Sequence, residues 1–273
     1  MPIVKSTDGT ELYVKDWGSG RPVVLIHGWP LNADSWEAQS LALARGGYRV
    51  VSYDRRGFGR SGQPWEGYDY DRMADDLSSV INALGLRDAS LVGFSMGGGE
   101  VARYMSRHGG ERVAQSALIS SVAPYMLKSD DNADGVPGEV LDSMKAGIEN
   151  DRAAFFTEFF KDFYGAGTPG GGVSEALRHW AWSMAMMASP KATLDCVDAF
   201  GRTDMRGDMA AFTVPTLVVH GTGDATVPID PSGRQAAKLA PQAELREYDG
   251  APHGLTATHA DQLNKDLLAF LKG

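Results

Sequence analysis

The chain has 273 residues, of which 43% are hydrophobic and 22% charged, which is enough apolar material for one large globular core. A formal net charge of -9 without a cluster of Lys and Arg argues against a nucleic-acid partner and slightly disfavours an anionic substrate. The single cysteine, Cys196, excludes an intrachain disulfide, and no apolar run is long enough to span a membrane. We therefore expect a cytoplasmic protein without a membrane partner, in which Cys196 is buried and unreactive.

Apolar runs that favour strands alternate with amphipathic stretches over residues 1–121. The continuous apolar runs are typical of parallel strands covered on both faces. The stretch from Asp71 to Leu84 places its apolar residues on one helical face. The pattern predicts strands at 11–17, 23–26, 49–53, 89–94 and 113–120, and helices at 35–44, 71–84 and 97–107.

The pattern changes to helices alone between about Val122 and Ala211, and alternation resumes after that. This order predicts an α/β fold: one mostly parallel sheet flanked by helices, with 1–121 and 212–273 as its core. Residues 122–211 would form an inserted helical cap within a single overall domain. The predicted cap helices are 139–148, 153–163, 175–187 and 192–200, separated at 130–132, 165–172 and 189–190; the later core elements are strands 214–220 and 243–248 and helices 234–239 and 258–271.

A G-x-S-x-G segment, Gly93 to Gly97, lies between a predicted strand and a predicted helix. In that context it is typical of a nucleophile elbow, a tight turn that lifts the serine hydroxyl out of the sheet. The glycines allow neighbouring backbone to approach closely, and the following helix N-terminus offers free N–H groups to an oxyanion. Ser95 is therefore the candidate nucleophile.

A serine nucleophile needs a base, and His253 is the one histidine of six that lies in a loop after the last predicted strand. Such a loop lies at the carboxyl edge of the sheet, where open α/β folds bind ligands. Asp224, in a turn after the preceding strand, would fix the tautomer of this histidine. Asp249 and Asp54 are rival acids, although Asp249 is awkwardly close in sequence and Asp54 better fits a structural role. The order Ser95, Asp224, His253 matches the α/β-hydrolase arrangement.

Two backbone N–H groups are needed to bind the oxyanion. Met96, directly after the nucleophile, is one expected donor. Trp29, in the loop after the 23–26 strand, is the other, because Pro30 has no N–H and confines Trp29 to an extended backbone. His27 in the same loop better fits a structural hydrogen-bonding role than that of a base.

The cap segment is rich in aromatic and methionine side chains. We assign most of them to packing within the cap and the rest to an apolar pocket above Ser95. The expected pocket residues are Pro30, Phe94, Tyr125, Phe159, Phe163, Trp180, Phe200 and Thr226.

Five segments form a characteristic set: 27–30, 53–61, 93–104, 220–224 and 251–254. Together they resemble the cofactor-free bacterial haloperoxidase (perhydrolase) and arylesterase family of α/β-hydrolases. The resemblance implies hydrolysis of small carboxylic esters through an acyl-serine at Ser95, with Asp224 and His253 completing a catalytic triad and with no metal or other cofactor. It also implies perhydrolysis, in which hydrogen peroxide replaces water on the acyl-enzyme and the resulting peracid oxidises halide. In this family a proline at the position of Pro30 is associated with stronger perhydrolysis.

The same residues would also suit a lactam hydrolase or a C–C bond hydrolase. A non-catalytic ligand-binding homologue is an alternative from a different class, which the complete triad disfavours. Haloalkane dehalogenation is disfavoured because it needs a carboxylate where Ser95 stands. The expected partners are a small ester or acyl substrate and hydrogen peroxide, and the sequence is compatible with a homo-oligomer.

Overall fold

A computed structural model describes residues 2–168 and 172–273, so residues 169–171 of the predicted separator 165–172 lie outside the described residues. Within the described ranges an eight-stranded sheet forms the centre of the molecule. Its strands are β1 (Ile3–Lys5), β2 (Glu11–Gly18), β3 (Pro22–Ile26), β4 (Arg49–Tyr53), β5 (Ala89–Phe94), β6 (Val113–Ile119), β7 (Thr216–Gly221) and β8 (Ala243–Tyr248).

The strands lie in the order β1-β2-β4-β3-β5-β6-β7-β8. β2 is antiparallel to both of its neighbours, and β3 to β8 are parallel. Parallel strands covered on both faces need continuous apolar side chains, and residues 23–26 of β3 are 0% exposed. Because the carboxyl ends of β3, β5, β7 and β8 meet at one edge of the sheet, the loops that follow these strands are brought together.

The helices cover this sheet, and one group of them is inserted between β6 and β7. In the core, α1 packs against α9 and α2 packs against α3, while the inserted α4 packs against α5 and α6. The helices are α1 (Glu37–Arg45), α2 (Tyr70–Ala83), α3 (Met96–His108), α4 (Gly138–Phe163), α5 (Glu175–Met187), α6 (Pro190–Arg202), α7 (Gln235–Leu239), α8 (Leu255–Thr258) and α9 (Ala260–Lys272).

Some boundaries differ from the sequence prediction. β1 is not predicted, because three residues are too few to show an alternating pattern. β7 begins at Thr216 rather than 214, since Pro215 has no N–H to donate to the sheet. The predicted closing helix is divided at His259, whose backbone (φ -123, ψ 33) is not helical.

α4 retains the two helical segments that the sequence predicts, because its backbone breaks at Asp151. This residue has φ -156 and ψ 91, and its Oδ1 accepts a hydrogen bond of 2.9 Å from the N–H of Ala154. Asp151 therefore caps the second segment in the way that an N-terminal aspartate usually does.

The turn between β5 and α3 depends on glycines at both ends. A Cβ added to Gly93 would lie 2.4 Å from the carbonyl oxygen of Gly97, and one added to Gly97 would lie 2.3 Å from the carbonyl oxygen of Ile26. Both obstacles are backbone atoms, which cannot rotate away. β3, β5 and α3 are therefore packed more closely here than any side chain would permit.

We expect Gly93→Ala to lower the free energy of unfolding by about 1–3 kcal/mol, the usual cost of overpacking. Gly207→Ala is the control, since a Cβ added to Gly207 meets nothing within 4 Å, and it should change stability by no more than about 0.5 kcal/mol. Urea unfolding of the two variants and the wild type measures the difference. Equal midpoints for both variants would contradict the packing argument.

Candidate active site

Ser95 occupies the turn in a left-handed backbone conformation, with φ 54 and ψ -120. Its N–H donates to the carbonyl oxygen of Ile119 at 2.8 Å, and its own carbonyl oxygen accepts from the N–H groups of Gly98 and Val122. The surrounding backbone therefore holds Ser95 in a conformation that non-glycine residues rarely adopt. The strained turn presents the hydroxyl at the carboxyl edge of the sheet.

His253 joins this hydroxyl to a carboxylate. Its Nε2 lies 2.9 Å from the Oγ of Ser95, and its Nδ1 lies 2.7 Å from the Oδ2 of Asp224. A carboxylate only accepts hydrogen bonds, so the imidazole proton lies on Nδ1 and Nε2 is free to accept the serine proton. All three side chains are buried or nearly so. The arrangement can therefore activate the serine as a nucleophile.

Two predicted pocket residues contact the imidazole ring of His253. The rings of Phe94 and Phe163 have centroids 5.2 and 4.8 Å from that of His253. Neither phenylalanine lines the cavity that opens beside Ser95 and His253. Their packing restricts rotation of the imidazole, so both phenylalanines orient His253.

Asp224 accepts hydrogen bonds on both carboxylate oxygens. Oδ1 accepts from the N–H groups of Thr226 (3.0 Å) and Val227 (2.8 Å), while Oδ2 contacts His253 and, at 3.3 Å, the Nε2 of His220. Burial alone would raise the pKa of Asp224, but its electrostatic interaction with His253 and the hydrogen bonds from His220 and His253 outweigh burial and hold the pKa well below its ordinary value. Asp224 therefore remains a carboxylate.

The contacts to Asp224 were only partly foreseeable. The two N–H bonds form an Asx-type turn, which the glycine-bearing loop after β7 could have suggested. No sequence pattern predicts the contact between His220 and Asp224, because His220 has only the features of a residue near the end of a buried strand.

The rival acids have other partners. Asp54 accepts from the N–H of Ala33 (2.9 Å) and from the N–H and guanidinium of Arg60, so it ties two loops together. Asp249 accepts from the hydroxyl of Thr222 at 3.3 Å and is exposed. Neither contacts His253 among the hydrogen bonds of the described residues.

His27 has the hydrogen-bonding role expected from the sequence. Its Nε2 accepts from the N–H of Arg55 at 2.9 Å, which leaves its proton on Nδ1, 2.9 Å from the carbonyl oxygen of Gly28. Complete burial, reinforced by the charge of Arg55, lowers the pKa of His27 well below its ordinary value. His27 is therefore a neutral residue that shapes the loop after β3.

Trp29 and Met96, the expected oxyanion donors, lie on two segments beside Ser95. Met96 is the first residue of α3, so its N–H has no acceptor within the helix. In the described part of the chain the backbone N–H of Trp29 donates to no acceptor. The Trp29–Pro30 peptide bond is cis.

The inserted helices fix the indole of Trp29. Its Nε1 donates to the carbonyl oxygen of Thr193 in α6 at 3.0 Å. The ring also packs against Phe156, Phe159 and Phe200, with centroid distances of 5.4, 5.4 and 5.5 Å. The loop after β3 is therefore held by the inserted helices as well as by the sheet.

A cavity of about 370 Å³ opens beside Ser95 and His253. Phe159, Phe200 and Thr226 line it, as does the indole of Trp29. Side chains that the sequence reasoning missed also line it, because the first segment of α4 and the residues just before it look like ordinary helix core. These are Val136, Val140, Leu141 and Met144.

Three other predicted pocket residues lie outside this lining. Pro30 is buried next to Trp29. Tyr125 lies beneath the guanidinium of Arg206, 4.9 Å from its ring centroid. Trp180 is 37% exposed on α5, a helix that contributes no residue to the cavity lining. Aromatic content alone could not tell which cap helix faces the serine.

Other features of the described residues bear on the expected chemistry. Between residues 2 and 168 and between 172 and 273, no three His, Cys, Asp or Glu side chains are placed to hold a metal ion together. No helix in these ranges has both the length and the apolar character needed to cross a membrane. Cys196 is buried in α6, as expected, and burial raises the pKa of its thiol.

Comparisons with known proteins place this fold and site in a class. The family model described as alpha/beta hydrolase fold matches residues 21–260. The chain is 48% identical to a non-heme chloroperoxidase of Kitasatospora aureofaciens over 99% of both chains, and 43% identical to a bifunctional esterase/perhydrolase of Acinetobacter calcoaceticus over 100% of both. A crystal structure of bromoperoxidase from Bacillus anthracis has a TM-score of 0.95 at 48% identity, covering 100% of this chain and 99% of that one.

The fold and its arrangement of side chains define an α/β hydrolase. Within that class the chain belongs to the family of the non-heme haloperoxidases and esterase/perhydrolases. The fold and the family expected from the sequence are therefore both confirmed.

Replacing Asp224 by Asn should lower kcat by about 10³–10⁴-fold, because the amide no longer favours the imidazole tautomer that accepts the serine proton. Asp249→Asn is the matched control and should keep kcat within about twofold. Ester hydrolysis by both variants provides the comparison. A large loss in Asp249→Asn with a small one in Asp224→Asn would assign the acid to the other residue.

The lowered pKa of Asp224 also predicts a pH dependence of stability. A carboxylate whose pKa is lower when folded contributes stability above its unfolded pKa of about 3.9, and this contribution is lost as the pH falls through the folded value. The difference in unfolding free energy between wild type and Asp224→Asn should therefore shrink as the pH falls below about 4. Urea unfolding across that range measures it, and a gap that widened towards acid would contradict the assignment.

Proposed function

We propose that this enzyme hydrolyses small carboxylic esters through an acyl-serine at Ser95 and also transfers the acyl group to hydrogen peroxide. The observation that carries this proposal is the chain of contacts from Ser95 Oγ through His253 to Asp224, at 2.9 and 2.7 Å, beside a largely apolar cavity. The esterase/perhydrolase relative supports the same two reactions.

In the first half of the proposed reaction, Ser95 Oγ attacks the ester carbonyl while His253 Nε2 takes the hydroxyl proton. Asp224 stabilises the imidazolium that forms. The N–H groups of Trp29 and Met96 bind the oxyanion of the tetrahedral intermediate. His253 then returns the proton to the departing alkoxide, and the acyl group remains on Ser95.

In the second half, water or hydrogen peroxide gives a proton to His253 Nε2 and attacks the acyl carbonyl. Ser95 leaves with that proton, and the product is a carboxylic acid from water or a peracid from peroxide. The peracid can then oxidise halide outside the protein and become the carboxylic acid again. We infer from the family resemblance that Pro30, next to the proposed donor Trp29, influences the choice between the two acceptors.

The remaining expectations from the sequence form part of this proposal. Residues 122–211 act as a cap that selects the acyl group, and residues 1–121 and 212–273 act as the core. The single cysteine favours a cytoplasmic location, since it allows no intrachain disulfide. Every group in the proposed reaction comes from one chain, so a homo-oligomer is compatible with it but not required.

Ser95→Ala should lower p-nitrophenyl acetate hydrolysis by at least about 10³-fold, because the nucleophile is lost. A fluorophosphonate probe should label the wild type with one equivalent and leave Ser95→Ala unlabelled. Ser120→Ala is the matched control, since Ser120 is also buried at the end of a strand and lies outside the cavity lining. Comparable hydrolysis by wild type and Ser95→Ala would overturn the proposal.

If acid and peracid both form from the acyl-serine, water and hydrogen peroxide compete for the same intermediate. With peroxide added to water as acceptor, peracid should appear at the expense of acid, and both products should be lost together in Ser95→Ala. Quantifying acid and peracid over a panel of acyl donors, with a lactam included, measures this. Peracid formation that survived in Ser95→Ala would show that the second reaction does not use this serine.

The charge at the cavity predicts a substrate preference. Among the lining residues that the structure describes, Asp162 alone carries a carboxylate, and it is exposed. An acyl donor with a negatively charged tail is therefore repelled weakly, through solvent. Asp162→Asn should raise kcat/KM for monomethyl succinate about two- to fivefold relative to methyl butyrate, and added salt should reduce the difference.

Glu158→Gln is the control for this charge effect. Glu158 lies one turn earlier on α4, is exposed and pairs with Lys161 rather than lining the cavity. The Glu158→Gln variant should leave the ratio of kcat/KM for monomethyl succinate to kcat/KM for methyl butyrate unchanged. An equal rise in both variants would mean that net charge, rather than the position of Asp162, sets the preference.

A further inference from the structure

The loop after β4 carries a fully buried arginine whose contacts the proposed mechanism does not use. The Nε of Arg55 donates to the Oε2 of Glu100 at 2.7 Å, and its Nη2 donates to the carbonyl oxygen of His27 at 2.7 Å. Its backbone N–H also donates to the His27 ring. Tyr53 donates to the other oxygen of Glu100, and all four side chains are 0% exposed.

These contacts join two segments that are separate in the chain. His27 lies just before Trp29, in the loop after β3. Glu100 lies one turn beyond Met96, in α3. One guanidinium therefore bridges the two backbone segments that supply the proposed oxyanion donors.

We propose that Arg55 is a positioning residue that sets the separation of the two oxyanion donors, Trp29 and Met96. This inference rests on the proposed function, because it concerns stabilisation of the same oxyanion. Arg55 itself does not line the cavity and so acts through the segments that it joins.

Steric contact prevents the loop after β3 and the start of α3 from moving closer, and the Arg55 bridge prevents them from moving apart. The start of α3 already touches the end of β3, since a Cβ on Gly97 would lie 2.3 Å from the carbonyl oxygen of Ile26 and 2.9 Å from that of His27. Backbone contact therefore prevents a closer approach. The bonds from Arg55 to Glu100 and to His27 prevent the segments from separating.

The geometry of this separation matters more for the transition state than for the bound ester. The charge on the oxyanion develops only as the serine attacks, and its two hydrogen bonds strengthen with that charge. A displacement of about 1 Å in such a site can cost about 10²-fold in rate. Arginine suits the task because its planar guanidinium holds two acceptors in fixed directions.

The next residue provides a matched control. Arg56 is also 0% exposed in its side chain and pairs with a buried carboxylate, Asp76, at 2.6 Å. Its other partners are Asp8 and Ser6, near the start of the chain. It therefore resembles Arg55 in burial and charge but has no hydrogen bond to either donor segment within the described residues.

The experiment compares Arg55→Met, Arg55→Lys and Glu100→Gln with Arg56→Met. For each protein, fluorophosphonate titration counts the competent sites, so that kcat refers to folded enzyme. The measurements are kcat and KM for p-nitrophenyl acetate and the affinities of two inhibitors. A trifluoromethyl ketone forms an oxyanion on Ser95, whereas the matching methyl ketone reports binding to the cavity alone.

We expect Arg55→Met to lower kcat and trifluoromethyl ketone affinity in parallel, by about 10- to 100-fold. KM and methyl ketone affinity should stay within about threefold. Arg55→Lys, which can keep one of the two bonds, should be intermediate. Arg56→Met should lose thermal stability but keep kcat within about threefold.

Equal kcat per titrated site in Arg55→Met and Arg56→Met would overturn the inference, as would a rise in KM without a loss of kcat. If Arg55→Met does not fold, Arg55→Lys and Glu100→Gln decide, and wild-type kcat and ketone affinity in both would overturn it. Ser95→Ala separates this failure from failure of the proposed function. An active Ser95→Ala variant would overturn the proposed function itself. An inactive Ser95→Ala variant, together with wild-type kcat in the Arg55 variants, would overturn only the positioning role of Arg55.

Discussion

The left-handed backbone at Ser95 is the constraint on which the rest of the site depends. A conformation of this kind costs about 1–3 kcal/mol and persists only where its surroundings hold it. Here the N–H and the carbonyl oxygen of Ser95 are both bonded to backbone near the end of β6. Gly93 and Gly97 let the flanking backbone pass within contact distance. The backbone conformation of Ser95 therefore lowers the stability of the fold, and it positions the serine hydroxyl above the sheet.

Ionisable groups lie close behind this turn, and each has several partners. Asp224 receives two backbone N–H bonds in addition to its contacts with histidines. Glu100 is held by Arg55 and by Tyr53. A buried charge without such partners would lower the stability of the fold by several kcal/mol. Truncating one member of a buried pair therefore leaves the other member buried without a partner. The same networks that make burial tolerable also fix the loops around the serine.

The inserted helices complete the site from above. α4 and α6 supply much of the apolar cavity lining, and α6 also accepts the indole hydrogen bond of Trp29. A change in these helices can therefore affect both the volume of the cavity and the support of Trp29, the proposed oxyanion donor. The sheet, in contrast, brings Ser95, Asp224 and His253 together, because the loops that carry them follow the parallel strands β5, β7 and β8.

The sequence by itself determined the alternation of strands and helices, the turn at Ser95 and the order Ser95, Asp224, His253, because each depends on local patterns and strand ends. Only the tertiary structure decided which residues of the inserted helices line the cavity beside Ser95: Phe159 does, whereas Trp180 is 37% exposed on α5, which supplies no lining residue. It also decided the contact of His220 with Asp224 and the bridge formed by Arg55. These contacts join residues on different elements, and the orientation of a helix about its axis is set by packing against its neighbours rather than by its own periodicity.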